Sequence, residues 1–231
     1  MVFHFTKKYE EKLRRIQEQI AKKIIVDDKF TRPISTIAGF DLSFLDDTAF
    51  VTGIALDYKG MNVIEMKFIR SELTFPYIPT FLTFREGPPI IKLYKKLRIK
   101  PDLIMINGQG IAHPIFCGIA SHIGVLLDVP SIGVAQNKLC GEFKEPKKVG
   151  ERSVIMFKNK KVGYAFKSQK DCKPIYISPG HKVSLETSLE IVKSTIKNHK
   201  LPEPIFISHS LANKIRISNK HNNIHGSLEE H

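Results

Sequence analysis

The chain has 231 residues, 42% of them hydrophobic, enough for one large domain or two small ones with a sizeable core, which excludes global disorder. Lys and Arg number 36 against 23 Asp and Glu, a net charge of +13 that favours a polyanionic partner, nucleic acid ahead of an anionic membrane, although a basic proteome or a need for solubility would also produce it. Cys117, Cys140 and Cys172 are an odd, widely spaced set without a CxxC pair, which argues against a disulfide framework or a cysteine zinc site and fits a reducing cytoplasm.

The N-terminus, "MVFHFTKKYEEKLRR", lacks the apolar centre of a signal peptide, and no apolar run approaches the roughly 18 residues of a membrane span. Residues 6–23 are read as an amphipathic helix, with Tyr9, Leu13, Ile16, Ile20 and Ile24 at helical spacing between charges. "TIAGFDLSF" (36–44), "AFVTGIAL" (49–56) and "NVIEMKFIR" (62–70) read as strands with short connections, an antiparallel meander. "FPYIPTF" (75–81), with two prolines, reads as an irregular loop. Residues 81–97 have helical apolar spacing, with Pro88-Pro89 expected to bend or break the helix just after Glu86.

"DLIMI" (102–106) is a strand, residues 116–128 a helix and "SIGVA" (131–135) a second strand, a βαβ unit whose strands run parallel. "SVIMFK" and "KVGYAFK" flank a hairpin candidate at Asn159-Lys160, and "IYISP" (175–179) is a further strand. Ser184 with Thr187 opens a helix to about Asn198, and a last helix begins near Ser208. The pattern predicts one α/β domain over residues 1–225, with 226–231 a tag-like or disordered tail. A meander followed by βαβ units is the order of a ribonuclease H-like fold, a central mixed sheet flanked by helices, which is an argument by analogy.

Chemistry concentrates at four places. Asp41 ends the apolar segment "TIAGF", where a buried carboxylate needs a partner or a cation; it could equally cap a turn with Ser43. Glu86 in "FREGPP" could be a solvated helix residue, and His209 in "FISHSLANK" a capping or packing histidine. Asn107 ends a strand beside glycines, where an α/β sheet gathers its ligands. Taken together at element ends around one core, they suggest an oxygen-rich site for Mg²⁺, with Mn²⁺ as a substitute, acting on a phosphodiester. Asn107 stands where a third carboxylate belongs.

"IAGFDLSF", "FPYIPTFLTFRE", "PDLIMINGQGIAHPIFCGIASHIGVLLDVPSIGVA" and "YISPGHKVSLETSLEIV" resemble the endonuclease V family, over about residues 36 to 215. The resemblance implies a ribonuclease H-like fold, Mg²⁺-dependent cleavage 3′ to deoxyinosine or inosine in DNA repair, and ends bearing 3′-hydroxyl and 5′-phosphate groups. It places the metal-binding acids at Asp41 and Glu86, the usual third acid at Asn107, and a further metal-site or catalytic residue at His209. It matches the strand-separating wedge to Pro76, Tyr77, Ile78 and Pro79, and the base pocket to Gly108, Gly110 and His113, with Gly118 and His122 on the helix beside it. A rigid aromatic between prolines suits insertion into a base stack, although Tyr77 could also be a core tyrosine.

Two departures stand out. The family's "DGxGxxHP" is "NGQGIAHP" here, and its Lys after "GVA" is Gln136, with Lys138 two residues on. An amide keeps the shape of a carboxylate and loses its charge, so metal binding and catalysis should weaken while the fold survives. The expected partner is inosine-containing DNA, with RNA also possible; a monomer and no membrane association are expected. A non-catalytic binder of inosine-containing or branched nucleic acid is the alternative, and a chromatin-type basic protein would leave the motifs unexplained.

Overall fold

The computed structural model describes residues 6–226. Helix α1 (Lys7–Ala21) starts at Thr6, whose hydroxyl accepts from the Tyr9 amide, and buries Leu13, Gln17 and Ile20 on one stripe. Strands β1 (Thr36–Leu45), β2 (Thr48–Asp57) and β3 (Val63–Glu72) form the expected antiparallel meander. Helix α2 (Leu82–Lys96) leads to β4 (Leu103–Asn107), which joins β1 in parallel. Helix α3 (Ile119–Leu127) then carries the chain to β5 (Ser131–Ala135), parallel to β4 as the βαβ reading requires. The hairpin β6 (Arg152–Phe157) and β7 (Lys160–Phe166) pairs through β7 with β8 (Ile175–His181), which runs antiparallel to β5. Helices α4 (Leu185–Ser194) and α5 (Glu203–Gly226) follow. The result is a mixed eight-stranded sheet, ordered β3-β2-β1-β4-β5-β8-β7-β6, with helices on both faces, the α/β class read from the sequence.

Alternation along the strands decides what each face meets. Ile37, Ile54, Met105 and Ile132 pack with Leu189 of α4 and Ile205 of α5. Ala38, Phe40, Val51 and Ile106 pack with Ile90 and Leu93 of α2 and Ile123 of α3. Asp41 keeps the parity of Ile37, and Asn107 that of Met105, so both belong to the face that α5 covers.

Five details differ from the expectations. Helix α2 runs unbroken through Pro88-Pro89, because Pro89, Ile90, Leu93 and Tyr94 are buried against the sheet. Burying several such side chains, at roughly 1.5–3 kcal/mol each, outweighs roughly 3 kcal/mol for an interior proline. Helix α3 begins at Ile119 rather than 116, after Phe116 adopts a left-handed φ of 59°. The hairpin turn is Lys158-Asn159, both left-handed, one residue earlier than read. Helix α4 stops at Ser194, and α5 opens at Glu203 rather than near Ser208, with Pro204 in its first turn. No described helix is long and apolar enough to cross a membrane. The tail expected at 226–231 lies, beyond Gly226, outside the described residues.

Candidate active site and nucleic-acid cleft

Helix α5 lies along β1 in contacts two residues apart on the strand. At Gly39 a Cβ would come within 2.0 Å of the Pro204 carbonyl oxygen, so only glycine permits this approach. At Ser43 the hydroxyl donates to the Ala212 carbonyl at 2.6 Å. Between them Asp41 meets His209, Oδ2 to Nδ1 at 2.6 Å, while its Oδ1 accepts from the Asn107 amide at 2.9 Å. One turn on, Asn213 Nδ2 lies 3.0 Å from His209 Nε2. The bond to the Asp41 carboxylate raises the His209 pKa above its ordinary value, against a smaller opposing effect of burial.

Glu86 reaches the site from α2, on the opposite layer. Burial, then the Asp41 charge, push its carboxyl up to about 8, with Arg85 opposing. The sequence placed all four residues at element ends. Only Asn107 is at one: Asp41 lies mid-strand, Glu86 mid-helix, and His209 two turns into α5. Among the described residues no three His, Cys, Asp or Glu side chains are grouped to hold a metal ion by themselves. Asp41 and Glu86, the latter held largely protonated by burial and to a lesser extent by the Asp41 charge, do form a pair of carboxyl groups that a hard cation would neutralise, and the Asn107 amide would have to present its oxygen to join them.

Asn107 also lines a cleft of about 490 Å³ with Tyr77, Pro79, Gly108, Gln136 and Lys138. Tyr77 is 69% exposed, so it is no core tyrosine. The loop carrying it is pinned beyond Pro79: the Thr80 carbonyl accepts from Gln17 Nε2 at 2.7 Å and lies 3.1 Å from His113 Nε2. Burial lowers the His113 pKa to about 4, keeping the ring neutral at this anchor.

The pocket glycines divide in role. Gly108, at φ 155°, faces the cleft. Gly110 instead donates its amide to Ser178 Oγ, and a Cβ there would come within 2.0 Å of the Pro179 carbonyl oxygen, so its need is close packing on β8. Gly118 presses against the Gln109 carbonyl, its would-be Cβ 2.3 Å from that oxygen, and still borders the cleft. His122 is buried edge-on to Phe84, its pKa lowered to about 4 by burial, and does not line the cleft; neither does Pro76. Sequence reasoning missed Gln109, whose Nε2 donates to the Asn137 carbonyl at 2.8 Å and ties the "NGQG" loop to the loop of Gln136 and Lys138. It also missed Asn213, though the i+4 spacing from His209 on a helix was a usable signal.

The family model for endonuclease V matches residues 18–210. The chain belongs to the endonuclease V family. An endonuclease V from Dictyoglomus turgidum is 46% identical over 202 residues, 87% of this chain and 88% of its own length. The crystal structure of Bacillus subtilis endonuclease V superposes with a TM-score of 0.87 at 28% identity, covering 96% of this chain and 97% of that one. Endonuclease V from Ciona intestinalis, solved in complex with a 24-mer DNA containing an inosine followed by a ribo-adenosine, gives a TM-score of 0.80 at 27% identity, over 92% of this chain and 99% of that one. The enzyme class is therefore that of an endonuclease, and the endonuclease V fold extends over nearly the whole chain.

Proposed function

We propose that this endonuclease V family member recognises inosine in nucleic acid and cuts the strand 3′ to it, as a DNA-repair nuclease. The observation that carries the reading is the continuity of cleft and acid pair: Asn107 touches Asp41 on one side and lines the Tyr77 cleft on the other. A strand whose base sits in the cleft would thus pass its phosphodiester along the acids. Tyr77, held out between prolines by the pinned loop, fills the gap left by an extruded base, an exchange that costs a few kcal/mol. Gly108 allows backbone approach to the base, and Lys138 offers positive charge at the rim.

Asp41 and Glu86 would hold Mg²⁺, or Mn²⁺ in its place, with Asn107 Oδ1 and His209 alongside. When bound, such an ion neutralises phosphate charge and lowers the pKa of water. Asp41 orients the His209 ring through Nδ1, and the Asn213 amide meets Nε2, so His209 would exchange a proton at Nε2 only where the Asn213 contact gives way. Glu86, largely protonated without a counter-ion, becomes a ligand only by losing that proton.

A second reading has its own observation. The Asn107 amide donates to the Asp41 oxygen that a cation would use, which favours an inosine binder that cuts slowly or not at all. The test is binding of inosine and adenine oligonucleotides at matched salt without metal, then nicking with Mg²⁺. Tighter inosine binding with metal-dependent nicking supports the nuclease, and tighter binding alone supports the binder. Equal affinity removes the base-pocket assignment.

A further inference from the structure

We propose that the tip of the β6–β7 hairpin, with Phe116, forms a second nucleic-acid contact: a track that takes the single strand as it leaves the cleft. The proposal rests on the cleft being the lesion site. Lys158, Lys160 and Lys161 are all exposed at this tip. Two aromatic rings, Phe116 and Phe157, lie between them with centroids 5.7 Å apart. Lys158 Nζ sits 5.2 Å from the Phe157 centroid and 5.9 Å from that of Phe116, and Lys160 Nζ sits 5.2 Å from Phe116. Beside them is a hollow of about 220 Å³, lined by Phe116, Lys160, Lys161 and the apolar Ile24 and Val26. Ammonium groups for phosphates beside rings for stacking are the composition of a single-strand site.

The tip is continuous with the cleft. Lys158 Nζ donates to the Pro114 carbonyl at 3.2 Å, directly after His113. Lysines near a sheet edge also deter edge pairing, and the edge strand β6 is next to β7, which carries Lys160 and Lys161. That role does not place ammonium groups over the rings of Phe116 and Phe157, which are half-buried against Ile155 and Val162. Phe116 is the one aromatic among the described non-glycine residues at positive φ, at 59°, whereas the φ of 46° at Lys158 belongs to the two-residue hairpin turn it forms with Asn159. Bulky side chains in that region are strained, and such strain gathers where a ligand is clamped.

The experiment uses the full chain and the double variant Lys160→Glu/Lys161→Glu, which changes two exposed side chains. Fluorescence anisotropy follows binding to single-stranded inosine oligonucleotides of two lengths. One, about 5 nucleotides long, covers the cleft alone, and the other, about 20, runs past the hairpin. The expected result is an affinity for the long strand at least about 10-fold weaker in the variant, with a log–log salt slope shallower by about 1.4, two contacts at roughly 0.7 each. Short-strand affinity should be unchanged. Wild-type affinity and slope on the long strand would overturn the track, as would an equal loss on both lengths. Loss on long strands alone, in a protein that does not prefer inosine over adenine, would uphold the track while removing the base-pocket assignment.

Discussion

Gly39→Ala tests how closely the fold sets the site. The added Cβ would lie 2.0 Å from the Pro204 carbonyl oxygen, and contacts below 3.0 Å essentially never occur, so α5 must withdraw from β1 by at least about 1 Å. His209 rides on the same helix, and its bond to Asp41 starts at 2.6 Å. Lengthened by about 1 Å, that contact passes out of hydrogen-bond range. Overpacking of this kind costs roughly 1–3 kcal/mol, or about 2–12 °C of melting temperature for a chain of this size. Two readouts are needed: the thermal midpoint, and the NMR titration of His209. In the parent protein His209 titrates above its ordinary value because Asp41 holds its proton. In the variant it should fall back toward that value. An unchanged midpoint together with an unchanged His209 titration would refute the clamp between Gly39 and α5.

Two further outcomes follow from the same geometry. Tyr77→Ala should weaken inosine binding by roughly 1–3 kcal/mol, the value of an aromatic stacked on a base, and change the melting temperature little, since the ring is 69% exposed; an equal loss on undamaged strands, seen by competition binding, would mean Tyr77 does not read the lesion. Acid should destabilise the protein between about pH 6.5 and 4.5. There the unfolded chain protonates His113 and His122, each held near pKa 4 when folded, at a cost of up to about 3 kcal/mol apiece. Glu86, raised to about 8, is already protonated in the folded state across this window while the unfolded chain's carboxyl stays ionised down to about 4.5, so it offsets one of the two. Net stability should thus be full above about pH 6.5 with respect to the histidines and fall as pH drops through that window. Urea denaturation from pH 7 to 4.5 measures it, and a flat profile would contradict the burial of both rings.

The meander, the βαβ unit and the α/β class were legible because alternation and apolar runs are local signals. What misled were places where tertiary burial overrides local preference. Pro88-Pro89 reads as a break, yet the buried flank of α2 carries the helix through. The start of α5 was hidden in "LPEP", where the Pro204 that marks a first turn also looks like a loop residue. At the site, Asp41, Asn107 and His209 come together as the motifs implied, because strand parity and the Gly39 contact bring them to one face. Gly110, expected in the base pocket, and His122, expected on the helix beside it, pack on β8 and against Phe84 and do not line the cleft. No sequence period shows which way a loop glycine points. Gln109 and Gln17 act on backbone carbonyls far along the chain, at Asn137 and Thr80, and long-range bonds of that kind leave no local trace.

The most direct measurement is nicking of an inosine oligonucleotide by the chain as it stands and by Asn107→Asp, across Mg²⁺ concentrations, with mass spectrometry to exclude deamidation at Asn107-Gly108. The substitution removes an amide that donates to Asp41 and supplies a third carboxylate beside Asp41 and Glu86. Without Mg²⁺ the variant should be less stable than the parent, since it brings like charges together, and Mg²⁺ should raise its melting temperature more than it raises the parent's. Its nicking should exceed the parent's by roughly 10²-fold or more, the scale on which altered metal sites commonly change activity. Equal rates in undeamidated protein, with equal responses to Mg²⁺, would show that position 107 is not part of a metal site.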